Sequence, residues 1–145
     1  MRSKPLLVAL IVLVVLIGIQ LVPVDRSNPA GGAELRRPAR VAAILLRACF
    51  DCHSNRTVWP WYSRVAPVSW LVASDVHEAR GLLNFSHWDE LNPAKQGVVA
   101  GMIAHQVEKN AMPLPRYRMI HRAARLSGAE KVALRAWADS LSGPQ

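Results

Sequence analysis

The chain has 145 residues, 51% of them apolar, with 18 Lys and Arg against 10 Asp and Glu and only two cysteines. That length suits one compact domain beside a short accessory segment. There is no internal repeat, and no nucleic-acid-binding motif accompanies the basic excess.

Pro5 to Val24 is an uncharged run rich in Leu, Val and Ile. As a helix it rises about 30 Å, the thickness of a bilayer's hydrocarbon core. Arg2 and Lys4 precede it, as in a signal sequence or signal anchor. The run exceeds a cleavable apolar region of about 7–15 residues, and no A-x-A site closes it. Residues 1–24 are therefore expected to form a retained anchor, with a cleaved signal peptide as the alternative. Arg26, Arg36, Arg37 and Arg40 follow the run, so flanking charge does not set the orientation. Long domains cross largely regardless of charge, which favours a C-terminal domain outside the membrane.

Residues 25–34, with Pro29, Gly31 and Gly32, read as a polar linker, and residues 35–145 as the domain. Without Arg2 and Lys4 the chain keeps 16 basic against 10 acidic side chains, a net of +6. Such an excess suits solubility, an anionic membrane surface, or docking to an acidic redox partner.

A helix is predicted from about Pro38 to Ala48, with Val41, Ile44, Leu45 and Ala48 on one face. It runs into Cys49-Phe50-Asp51-Cys52-His53, a C-x-x-C-H motif holding both cysteines. Two thiols three positions apart can form thioethers to the two vinyl groups of a haem, and the next histidine can bind its iron. Zinc would need about four ligands, for which only His77, His87, His105 and His121 are available elsewhere. A thiol redox site would expect strand–helix alternation, which is missing. One covalent haem c is the favoured reading.

Ser54 to Ala66 reads as a loop interrupted by Pro60. Pro67 opens a helix carrying Val68, Leu71, Val72, Val76 and Ala79, ending near Gly81. Ser86 with Asp89 or Glu90 suggests a short helical turn. Asn92-Pro93 is an N-cap followed by proline at the first helical position, before a helix with Val98, Val99, Met102, Ile103 and Val107. Ala111 to Arg118 reads as a Pro-rich loop. Ser127 and Glu130 form a capping box for a last helix with Leu134, Trp137, Ala138 and Leu141 on one face. No stretch alternates as a strand, so the fold class is all-α.

This order resembles a small c-type cytochrome. Cys49-x-x-Cys52-His53-Ser54-Asn55, Trp59-Pro60-Trp61-Tyr62-Ser63, Ala66-Pro67-Val68-Ser69-Trp70, Leu83-Asn84-Phe85-Ser86-x-Trp88, Met112-Pro113-Leu114-Pro115-x-Tyr117 and Leu126-Ser127-x-x-Glu130 … Trp137 together resemble the bacterial haem-binding domain family. The resemblance covers roughly residues 35–141 and implies haem binding, with no established substrate or partner. In the bacterial c-type cytochromes that the motif resembles, haem is attached outside the cytoplasmic membrane, which places this domain in the periplasm or exterior.

His53 is the expected proximal ligand, and the sixth iron position decides between electron transfer and small-molecule chemistry. Met112, braced by Pro113 and Pro115, is the first candidate. His121 is second, and an open site third. Met102 and Met119 read as gap-filling core residues, and His77 as partly buried. Trp59 and Trp61 are candidates for walling the haem, and Arg56 and Arg64 for binding its propionates. Trp70, Trp88 and Trp137 are assigned to core packing. No nucleophile–base–acid arrangement stands out. The expected function is a membrane-anchored, exported monohaem electron carrier. The alternatives are a haem peroxidase or gas sensor, or a haem subunit of a larger membrane complex.

Overall fold

A computed structural model of the chain describes residues 3–32 and 37–142, and these are all-helical, with no strand among them. The boundary expected between linker and domain at residues 34 and 35 lies outside the described residues. Helix α1 (Ser3–Gly18) continues into a tight turn, Ile19–Leu21. Lys4–Leu21 has a mean hydropathy of 2.5 and none of it is buried, so this helix is long and apolar enough to cross a membrane.

The segment after it lies along the domain as a strap. Arg80 holds it, donating from Nη1 to Ser27 O at 2.9 Å and from Nη2 to Asn28 Oδ1 at 2.8 Å. The same guanidinium bonds Thr57 Oγ1 and Ser54 O, both at 2.8 Å. Asn28 Nδ2 adds a bond to Thr57 O at 2.9 Å. Composition suggested only a polar linker; the fork of one arginine fastens it to the domain.

The domain comprises α2 (Ala39–Ala48), the single turn α3 (Phe50–His53), α4 (Val68–Leu82), α5 (Pro93–Glu108), α6 (Pro115–Ile120) and α7 (Gly128–Ser142). Helix starts follow local chemistry. Asn92 Oδ1 accepts from Lys95 N at 2.9 Å, with Pro93 in the first turn of α5. Ser127 N donates to Glu130 Oε2 at 2.8 Å and Glu130 N to Ser127 Oγ at 3.3 Å, the reciprocal capping box. The stripe Val41, Ile44, Leu45, Ala48 of α2 is buried as its period predicts. The core joins it to Phe50, Phe85, Trp88, Leu134 and Trp137. Rings run in series, Phe50 on Phe85 at 5.2 Å, Phe85 on Trp88 at 5.8 Å and Trp88 on Trp137 at 5.5 Å.

Four expectations change. The buried face of α5 is Gly97, Ala100, Ala104 and Val107, while Val98 and Met102 are exposed. The reason is closeness: α5 packs along α7, and a Cβ on Gly97 would meet Leu141 O at 2.7 Å. Only small residues admit that approach. The Pro-rich stretch is also not all loop, because Pro115 serves as the first residue of α6. Met119 on α6 is 75% exposed and Trp70 38% exposed, so neither is a core residue; Trp88 and Trp137 are. His77 is likewise exposed, its Nε2 lying 3.7 Å from Asp25.

Candidate functional site

In the turn α3, Cys52 N and His53 N both donate to Cys49 O, at 3.2 and 2.9 Å. Residues three and four apart share a helical face, so Cys49, Cys52 and His53 point one way. Phe50, one position on, points the other way and stacks in the core. The motif thus has an anchored back and a chemical front.

That front forms one wall of a cleft of about 150 Å³. Ala79 and Leu82 of α4 make another wall, and Met112, Pro113 and Leu114 face them. The methionine segment is pinned where α5 ends: Ala111 N and Met112 N both donate to Gln106 O, at 3.0 and 3.2 Å. Asn110, at φ 56°, makes the left-handed turn that this requires, a conformation asparagine tolerates well. Pro113 is buried.

His53 is held through Nδ1, which lies 3.2 Å from Ala79 O and 3.1 Å from Leu83 O. Two carbonyl acceptors require the proton on Nδ1, leaving the Nε2 lone pair to bind a ligand. Burial also lowers the His53 pKa, against a smaller opposing effect of those two bonds, and keeps the ring neutral. Burial pushes the Cys49 thiol up to about 12, with the Cys52 charge next in effect. Cys52 is pushed up to about 11, by burial and then by Asp51. Protonated thiols in an apolar cleft are poor nucleophiles for disulfide exchange. Among the described residues, no three His, Cys, Asp or Glu side chains gather into a metal-ion site.

A second recess, of about 190 Å³, adjoins the first along Cys52, Leu114, Tyr117 and the Asp75–Arg116 pair. Arg116 donates twice to Asp75, from Nη2 at 2.6 Å and from Nε at 3.2 Å. Deeper in, the Tyr117 hydroxyl donates to Asp51 Oδ2 at 2.6 Å. Tyr117 stacks on His121 at 4.2 Å, and the Tyr62 hydroxyl lies 2.6 Å from His121 Nε2.

The haem-binding domain family matches residues 14–140, from within the apolar helix almost to the end of α7. The chain belongs to the haem-binding domain family. Comparison with curated proteins and with solved structures returned no match. Membership makes haem its ligand.

The residues of this haem-binding domain suit that group. The cleft is largely apolar, offers an unengaged imidazole nitrogen, and carries both thiols beside it. Cys49, Cys52, His53 and Met112 line it together. His121 lines the adjoining recess instead, with Nε2 beside Tyr62. Trp59, Trp61, Arg56 and Arg64 are not among the residues lining either space, and Trp61 is 78% exposed. The cation in the cleft is Arg116, with Asp75, Glu78 and Tyr117 as further polar neighbours. Sequence reasoning did not single out Arg116, took Asp75 and Glu78 for a solvated helical face, and named Tyr117 only within the Met-Pro motif. The signal available was local: Arg116 and Tyr117 directly follow Pro113-Leu114-Pro115.

Proposed function

We propose that the protein is a membrane-anchored, exported, monohaem c-type cytochrome that passes electrons by outer-sphere transfer. The observation that carries this reading is that Cys49, Cys52, His53 and Met112 line one apolar cleft. Bound haem supplies a reversible one-electron iron couple. The chain's part is to hold and shield it. Cys49 and Cys52 would hold it through thioethers, and His53, its tautomer set by Ala79 O and Leu83 O, would bind its iron. Met112, across the same cleft lining, would be its second iron-binding side chain, a soft sulfur that would raise the potential relative to a second histidine. Arg116, paired with Asp75 at the cleft, would supply the cation for a propionate. The apolar walls keep water out.

The α1 span holds the domain to the cytoplasmic membrane, with the haem on the outer side. The net basic charge of the exported part suits an acidic redox partner. The test is the absorption spectrum of purified oxidised and reduced protein, with a pyridine haemochrome assay and haem staining after denaturing electrophoresis. A single low-spin haem that stays with the chain is expected, with retention weakened in Cys49→Ala and Cys52→Ala. Haem that washes off the wild type would sink the covalent assignment. A high-spin wild type that binds carbon monoxide or peroxide rapidly would move the reading to a sensor or peroxidase.

A further inference from the structure

The end of α1 is fastened to the domain. Gln20 Nε2 donates to Ala66 O at 3.2 Å, and Ala66 N donates back to Gln20 Oε1 at 3.0 Å. With Lys4–Leu21 across a bilayer, Leu21 stands at the edge of the hydrocarbon. The headgroup layer beyond that edge is only about 5–8 Å deep. Ala66 and its neighbours, bonded to the span's last turn, therefore sit at headgroup depth.

A recess of about 150 Å³ opens at that level, with Arg26, Arg64 and Ser69 among its lining. It presents two guanidinium groups and no carboxylate. Arg26 donates one bond, to Ser63 O at 3.3 Å. Arg64 makes no hydrogen bond or ion pair among the described residues. Two indoles stand beside these residues in the chain: Trp61 opens the turn Trp61–Arg64, and Trp70 lies in the first turn of α4 next to Ser69. Trp61 is 78% exposed. Indoles concentrate at membrane–water interfaces, and guanidinium groups bind phosphate as a fork.

We propose that this recess binds the phosphate of an anionic membrane lipid through Arg26 and Arg64, with Trp61 and Trp70 among the headgroups. The lipid seats the domain at a set height on the bilayer. The inference rests on reading α1 as a membrane span.

Full-length holoprotein in detergent is titrated with phosphatidylglycerol and, separately, phosphatidylcholine, and retained lipid is counted by native mass spectrometry. One phosphatidylglycerol is expected, retained on the order of tenfold better than phosphatidylcholine. Arg64→Glu and the double variant Arg26→Gln/Arg64→Gln lose that preference, whereas Lys109→Gln, an exposed cation outside the recess, keeps it. An unchanged haem spectrum verifies that the variants are folded. Equal retention of the two lipids by the wild type, or an undiminished preference in the Arg64→Glu variant, overturns the proposal. Displacement of the lipid by millimolar inorganic phosphate overturns it too, by assigning the recess to a free anion. Flotation on phosphatidylcholine vesicles reads the span separately. Protein that fails to float sinks the anchor, whereas protein that floats without a lipid preference sinks only the recess.

Discussion

The Tyr117 hydroxyl donates to Asp51 Oδ2 across 2.6 Å, joining the segment after Met112 to the residue between the two cysteines. One bond thus ties the Met112 segment to the C-x-x-C-H turn. Burial first, then the bond to Asp51, raises the Tyr117 pKa well above the usual tyrosine range. Tyr117→Phe removes the bond and should cost about 1–2 kcal/mol in urea unfolding at neutral pH. The sign with pH follows from linkage. Below about pH 10 the phenol is protonated in folded and unfolded chains alike, and its contribution is complete. Above that, only the unfolded chain ionises there, so stability is lost as pH rises. The gap between wild type and Tyr117→Phe should therefore narrow above about pH 10; a gap constant with pH would sink this account.

Met112→Ala should turn a low-spin haem high spin, or expose it to a new ligand, and lower its potential. Cyanide should then bind readily. Met112→His should restore a low-spin haem at lower potential where the pinned segment lets the ring reach. A methionine-to-iron charge-transfer band that survives in Met112→Ala would eliminate this ligand.

Arg80→Ala should free the strap. Four hydrogen bonds from one guanidinium are lost, two of them to Ser27 and Asn28. Trypsin cleavage after Arg26 reads this directly: slow in the wild type, fast in Arg80→Ala, and intermediate in Arg80→Lys, which keeps charge without the fork. Equal cleavage in all three would show that the strap is held by other contacts.

Gly97→Val should destabilise the domain by about 1–3 kcal/mol, through overpacking against the α7 backbone. Even a Cβ would stand 2.7 Å from Leu141 O. Thermal melts of the variants read it, and Gly101→Ala is the control, since a Cβ there meets nothing within 4 Å. Matching losses in the two variants would refute the packing argument.

What was legible in the sequence was what neighbouring residues decide. Asn92, Ser127 and Glu130 cap helices by bonds within three positions, and the α2 stripe follows a period. The C-x-x-C-H spacing sets one face of one turn, so its geometry was readable too. The buried face of α5 was not, because apolarity favours Val98 and Met102 while the approach of α7 selects Gly97 and Ala100. Helix α6 was hidden by prolines that break a helix inside it but start one at its head. Arg116 and Arg64 are chemically alike in sequence. Only the tertiary arrangement puts one in the cleft with Cys49, Cys52 and His53 and the other beside the α1 segment.

The aromatic series from Phe50 to Trp137 lies directly beneath the C-x-x-C-H turn: Cys49 packs against that core, and the His53 ring meets Phe85 edge-on at 6.4 Å. The rings of the core are therefore also the bed on which that turn rests. The bearing of two thiols and one imidazole is inherited from it, and a ring lost from the bed disturbs all three together.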